Sequence, residues 1–207
     1  MTNMPSRGMI GIRTRYMALM LLVLSACSFS LNAQAQQNAQ AQQNSDNHYT
    51  ANELVQAGHY FFGTVAGGIA SVIEKAVASH GLPNGYILGE EGSAALIAGA
   101  RYGEGQLHTK NMGVHKVYWQ GPSIGWDFGG DGNRTMMLVY KLPSVDYLYR
   151  RWGGVNGSAY FIGGFGVTLL SSDKQYYIVP IRSGVGARLG INVGYVKFTH
   201  QPTWNPF

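Results

Sequence analysis

Two periodicities divide the chain. Between Thr50 and His80 apolar residues recur every three to four positions; from Tyr86 to His200 they recur every second position. Thr50-Ala51-Asn52-Glu53 reads as a capping box, with Thr50 as N-cap and Glu53 reaching back to it, and predicts a helix to about Phe62. A second helix is expected over roughly 64–80, with Phe62, Val65, Ile69, Val72, Ile73, Ala76 and Val77 on one face. Gly81 and Pro83 stop it. Gly63, Gly67 and Gly68 weaken its first turns, which suggests backbone lying close against something.

The period-two region predicts strands near 85–90, 93–102, 104–110, 114–121, 123–130, 134–142, 157–170, 175–181, 183–191 and 192–200. Asp131-Gly132 and Ser172-Asp173 punctuate it as hairpin turns, and Val145–Trp152 reads as a helical interlude. Glycine keeps to one side. In 121–129 one face carries Gly121, Ser123, Gly125, Asp127 and Gly129, and the other Pro122, Ile124, Trp126 and Phe128. In 184–195 one face carries Gly184, Gly186, Arg188, Gly190, Asn192 and Gly194. A face stripped of Cβ atoms lets a strand curl sharply or admit another element at close range. Many short strands with tight curl predict a mainly β fold, a small closed antiparallel β-barrel, with the N-terminal helical segment packed on it or plugging it. Gly92-Ser93-Ala94 and Gly157-Ser158-Ala159 each open an apolar strand, so the two halves of the region resemble each other.

Composition changes the picture mainly at the N-terminus. Arg7, Arg13 and Arg15 precede the apolar run Met17–Ala26, too short for a permanent membrane span, and residues 1–35 therefore read as a secretory signal peptide. Two processing sites compete. Ala33-Gln34-Ala35 fits ordinary signal peptidase, whereas Leu24-Ser25-Ala26-Cys27 resembles a lipobox that would leave a lipidated Cys27 at the mature N-terminus. Residues 36–49 form a Gln/Ala/Asn-rich linker, and 50–207 a single domain. Either route places the domain in the periplasm, the second one anchored to the outer membrane. Nothing in the mature chain is apolar for long enough to span a membrane as a helix. The net charge of +5 is largely the leader's: without its three arginines, twelve Lys and Arg face ten Asp and Glu. That small excess gives a nucleic-acid partner no support. One cysteine excludes a disulfide framework.

The stretch GPSIGWDFGGDG, residues 121–132, holds three borrowed signatures: a G-x-S-x-G, an Asp-Phe-Gly and a glycine-rich run of the kind that cradles phosphate. Its G-x-S-x-G needs a helix after Ser123 to be a nucleophile elbow, and Ile124-Gly125-Trp126-Asp127-Phe128-Gly129 offers none. Asp127-Phe128-Gly129 has no kinase context, and the G-x-G of 184–190 sits in a period-two segment rather than before a helix. The six histidines show no metal-ligand spacing, so no catalytic residue, metal or cofactor is expected. Glu90 and Glu91 face opposite sides of a strand and read as a solvated turn. What survives is Arg101, Asp127 and Arg188, each flanked at two residues' distance by glycine on both sides. Neighbouring strands with this pattern would gather three charges where side chains have been removed, as a buried network or as a pocket for an anionic head.

FFG (61–63), VIEKA (72–76), GEEG (89–92), KVYWQGPSIGWDFGG (116–130), GSAYFIGG (157–164), the IRSGVGARLG segment from 181 and WNPF (204–207) together resemble the bacterial domain-of-unknown-function 1134 family over residues 50–207. The Gly-rich alternation is more loosely similar to SYLF-type lipid-binding domains. The resemblance implies an exported, periplasmic barrel of about eight strands that supports cell-envelope integrity, and no established catalytic residues. The functional expectation is a non-enzymatic protein that binds a lipid-like ligand or envelope component, or else a scaffold with a filled barrel that engages an envelope protein.

Overall fold

The capping box closes as read: Thr50 Oγ1 accepts from the Glu53 amide at 3.3 Å, and Glu53 Oε2 accepts from the Thr50 amide at 2.7 Å. It starts α1 (Ala51–Phe62), which passes through a 3₁₀ segment (Gly63–Gly68) into α2 (Ile69–His80). The three glycines thus mark a tightened joint rather than the first turns of one long helix. Gly81 ends α2 at φ +81°, donating its amide to Val77. These coordinates come from a computed structural model, which describes residues 47–94, 98–124, 133–155, 158–183, 194–203 and 205.

Ten strands follow among the described residues: β1 (Gly85–Ala94), β2 (Ala98–Thr109), β3 (Gly113–Ile124), β4 (Asn133–Tyr140), β5 (Arg151–Gly154), β6 (Tyr160–Ile162), β7 (Phe165–Val167), β8 (Leu170–Ser171), β9 (Tyr177–Ser183) and β10 (Tyr195–Thr199). All pairings are antiparallel. The order β4-β1-β2-β3-β10-β5-β8-β9 closes through β4–β9 into an eight-stranded barrel, and β7 and β6 extend from β9 as two extra strands. Among the described residues no helix is long and apolar enough to cross a membrane.

Alternation along the strands builds two separate cores. Inward-facing Ile87, Leu107, Val117, Trp119, Met137, Val139, Trp152, Leu170, Ile178, Val196 and Phe198 fill the barrel. Outward-facing Met136, Leu138, Tyr140, Val179 and Ile181, with Phe165 and Val167, meet Leu54, Phe62, Ile69, Val72, Ile73 and Ala76 of the helices. The helical segment therefore packs on the wall and does not plug the interior. It is fastened at the far end of the joint, where Gly68 lies so close to Gly163 of the β6–β7 hairpin that a Cβ on either would overlap the other's backbone.

Four local expectations are revised. β2 runs unbroken through Gly103, and β3 is a single strand from Gly113 to Ile124. Val145–Trp152 is one 3₁₀ turn (Val145–Leu148) followed by β5, because Arg151 and Trp152 find ladder partners in Lys197 and Val196. The segment 157–170 breaks at Gly163 and Gly164, whose φ values of 59° and 87° turn it into a hairpin. One end of the barrel is sealed by that 3₁₀ turn: Leu142 and Leu148 are buried, and Trp152 Nε1–H donates to the Leu148 carbonyl at 2.9 Å.

Candidate functional site

The opposite end of the barrel carries charge inside. Strand β1 turns Ile87, Gly89 and Glu91 inward; β2 turns Arg101, Gly103, Gly105 and Leu107 inward; β3 contributes Val117, Trp119 and Gly121. Register sets Glu91 opposite Gly103, Gly103 opposite Trp119, and Arg101 opposite Gly121. The glycines make room for the indole. A Cβ at Gly103 would overlap the Trp119 ring, and one at Gly89 would meet both that ring and the backbone of β2. A Cβ at Gly121 would strike the Tyr195 carbonyl of β10, so this glycine admits a neighbouring strand and not the helices.

Laid across that bare floor, Trp119 directs its Nε1–H at Glu91 Oε2, 2.8 Å away. Arg182 reaches across from β9 and donates Nε–H to Glu91 Oε1 at 3.0 Å and Nη2–H to Oε2 at 3.5 Å, while its Nη1 lies 3.5 Å from Thr168 Oγ1. Arg101 Nη1 stands 3.9 Å from Glu91 Oε1. Glu91 is 7% exposed and Arg101 5%. Burial by itself would push the Glu91 carboxyl up; Arg182 first and Arg101 next, with hydrogen bonds from Arg182 and Trp119, outweigh it and hold the group below the usual carboxylate range. Glu91 is thus an ionised carboxylate satisfied on both oxygens, which is the condition for a buried charge to be tolerated.

Of the charges singled out in the sequence, Arg101 enters this cluster; Asp127 and Arg188 lie outside the described residues, as does Cys27. The carboxylate beside Arg101 here is Glu91, the residue read as part of a solvated turn. Its signal was present in the spacing: Glu91 follows Ile87 and Gly89 on the inward side of a strand, the same small-then-charged pattern that marked Arg101. Arg182 follows Ile178 and Pro180 in the same way. Neither is bracketed by glycine at both two-residue positions, as Arg101 is.

As chemistry the cluster is a clamp. Its carboxylate is saturated by donors and its indole is buried, so it offers no nucleophile and no general base, and among the described residues no three of His, Cys, Asp and Glu gather as metal ligands. A relative shares the architecture. Residues 47–207 match the model of the family described as envelope integrity protein A. The chain belongs to that family. It is also similar to a crystal structure described as a β-barrel-like, uncharacterised protein from Brucella abortus, with 61% identity and a TM-score of 0.71; the match covers 78% of this chain and 99% of that one. No curated protein matches the chain significantly. Membership attaches the fold to envelope integrity, and the family match starts at residue 47, near the expected linker–domain boundary.

Proposed function

We propose that the chain is an exported, non-catalytic protein of the periplasm that supports the envelope from its outer surface, as a rigid filled barrel rather than as a container. One observation carries this reading. The space in which a carrier of this size would hold an acyl chain is occupied by Trp119, Trp152 and Phe198, exposed by 1%, 0% and 2%, together with buried Leu107, Val117, Met137 and Ile178. Emptying that interior would create cavities at a cost of several kcal/mol, on the order of 3–5 for each large aromatic side chain lost. The leader at residues 1–35 and the family's description support an envelope location. The partner, on this reading, is an envelope component met at the surface.

The test is photo-crosslinking in the native host. Cells are fed a photoactivatable fatty acid and the labelled peptides are mapped. Labels on inward-facing Leu107, Val117, Met137 or Phe198 would overturn the filled-barrel reading; an unlabelled interior supports it. Mature-chain mass addresses the rest. A chain starting at Gln36, or at a lipidated Cys27, supports export, whereas an unprocessed cytoplasmic chain contradicts it.

A further inference from the structure

Helix α2 covers two unlike halves of barrel wall. Near its start, Ile69, Val72 and Ile73 are fully buried in the outer core. Near its end the wall is phenolic. Tyr140 of β4 and Tyr177 of β9 are register partners on the outer face, and Tyr160 of β6 joins them on the same core. His80, the last residue of α2, stands edge-on to Tyr140 with ring centroids 5.7 Å apart and stacks on Tyr177 at 6.2 Å. Lys75 holds its Nζ 4.1 Å from the Tyr160 ring centroid.

Tyr140 is the odd member. It is 2% exposed, yet its hydroxyl has no hydrogen-bond partner. The Tyr177 hydroxyl, by contrast, is committed to the Lys174 carbonyl. A buried O–H without an acceptor costs the desolvation of the group and gains nothing. Burial, and secondarily Tyr160, push the Tyr140 phenol well above its ordinary value, so it stays a donor. Val77, Ile162 and Leu169 are apolar and pack, half-buried, against the same outer core. The seam therefore combines an unused donor, an ammonium group and an apolar rim.

We propose that this seam, between the end of α2 and Tyr140, Tyr160 and Tyr177, binds a single-chain amphiphile with an oxyanion head. The oxyanion accepts from Tyr140 Oη–H and pairs with Lys75; the chain lies along Val77, Ile162 and Leu169. The lysine disfavours a cationic head, and a neutral alcohol would leave its charge unused. A carboxylate and a phosphate monoester share the required chemistry. The site lies outside the barrel and stands independently of whether the interior is filled.

The experiment is thermal melting of the purified mature chain titrated with dodecyl phosphate and with dodecanoate, each below its micellar concentration. Inorganic phosphate and dodecanol serve as the head alone and the chain alone. A saturable rise in Tm with either amphiphile, and none with inorganic phosphate or dodecanol, is expected; the stronger of the two amphiphiles identifies the head. Tyr140→Phe removes an unpartnered hydroxyl, so the unliganded protein should melt no lower than wild type, while its affinity for the amphiphile falls about tenfold, as for loss of one hydrogen bond to a charged group. Lys75→Ala should weaken binding similarly, and Lys116→Ala on the opposite wall should not. Identical titrations of wild type and Tyr140→Phe, or no amphiphile-dependent shift in wild type, would overturn the assignment and leave a bridging water as the hydroxyl's partner.

Discussion

Trp119 and Glu91 meet through one hydrogen bond, 2.8 Å from indole nitrogen to carboxylate oxygen, in the interior of the barrel. Two arginines share that carboxylate, so it is the member whose loss leaves most behind. Glu91→Gln keeps an acceptor for the indole but leaves two guanidiniums uncompensated by it. It should lower unfolding free energy by about 3–5 kcal/mol, as breaking a buried pair does. Arg101→Met and Arg182→Met should each cost less, since the other arginine still faces the carboxylate. Urea denaturation of the three variants gives the order; a Glu91→Gln protein as stable as wild type would remove the network from the account.

The same carboxylate sets an acid limit. Its folded-state value is depressed, so its contribution is complete above the unfolded-state value of about 4.3 and is lost as the pH falls through the lower folded value. Wild type should therefore destabilise more steeply than Glu91→Gln below about pH 4.3. Parallel acid limbs for the two proteins in pH-dependent denaturation would count against it.

Gly103 and Trp119 should behave as one unit. Gly103→Ala places a methyl where the indole lies and should cost about 1–3 kcal/mol by overpacking. Combined with Trp119→Phe, which shortens the ring system, the second change should cost much less than it does alone. Additive losses in this double-mutant cycle would show that the two do not share the space.

Gly68 and Gly163 tie the helical joint to the β6–β7 hairpin through backbone alone. Gly163→Ala adds both an overlap and a strained φ of 59°. Amide exchange should then quicken in 160–167 and 63–69 together, with β2 and β3 amides unchanged. Faster exchange confined to the hairpin would show that the contact does not hold the joint.

At the start of α1, Lys110 and then the Thr50 amide hold the Glu53 carboxyl down to about 2. Its contribution is thus present above about pH 4.3 and fades toward pH 2. The group is largely exposed, so salt should screen the Lys110 part. Thr50→Ala should cost about 0.5–2 kcal/mol, the usual range for a lost N-cap. Equal stability of Thr50→Ala and wild type in urea would mean that the helix start is held elsewhere, for instance by Tyr49, whose amide donates to the Pro83 carbonyl at 2.9 Å.

What the sequence determined by itself was whatever depends on neighbours in the chain. Thr50 and Glu53 are three residues apart, so their reciprocal capping is legible, as are the face of α2 and the stop at Gly81. Strand alternation is local too, and with one-sided glycines it was enough to specify a small closed barrel. Tertiary structure decided what depends on residues far apart. The Val145–Trp152 pattern was compatible with a helix; the ladder offered by Lys197 and Val196 made its end a strand, because paired backbone and a buried Trp152 outweigh a few residues' propensity. Glu91 next to Glu90 looks like a solvated pair until β1 pairs with β2, when one carboxylate faces out and the other faces Trp119, 28 residues away, and Arg182, 91 residues away. Only closure of the barrel could show that its interior is filled and that the helices lie on the outside, since both cores draw on the same apolar residue types and differ only in the side of the strand from which they project.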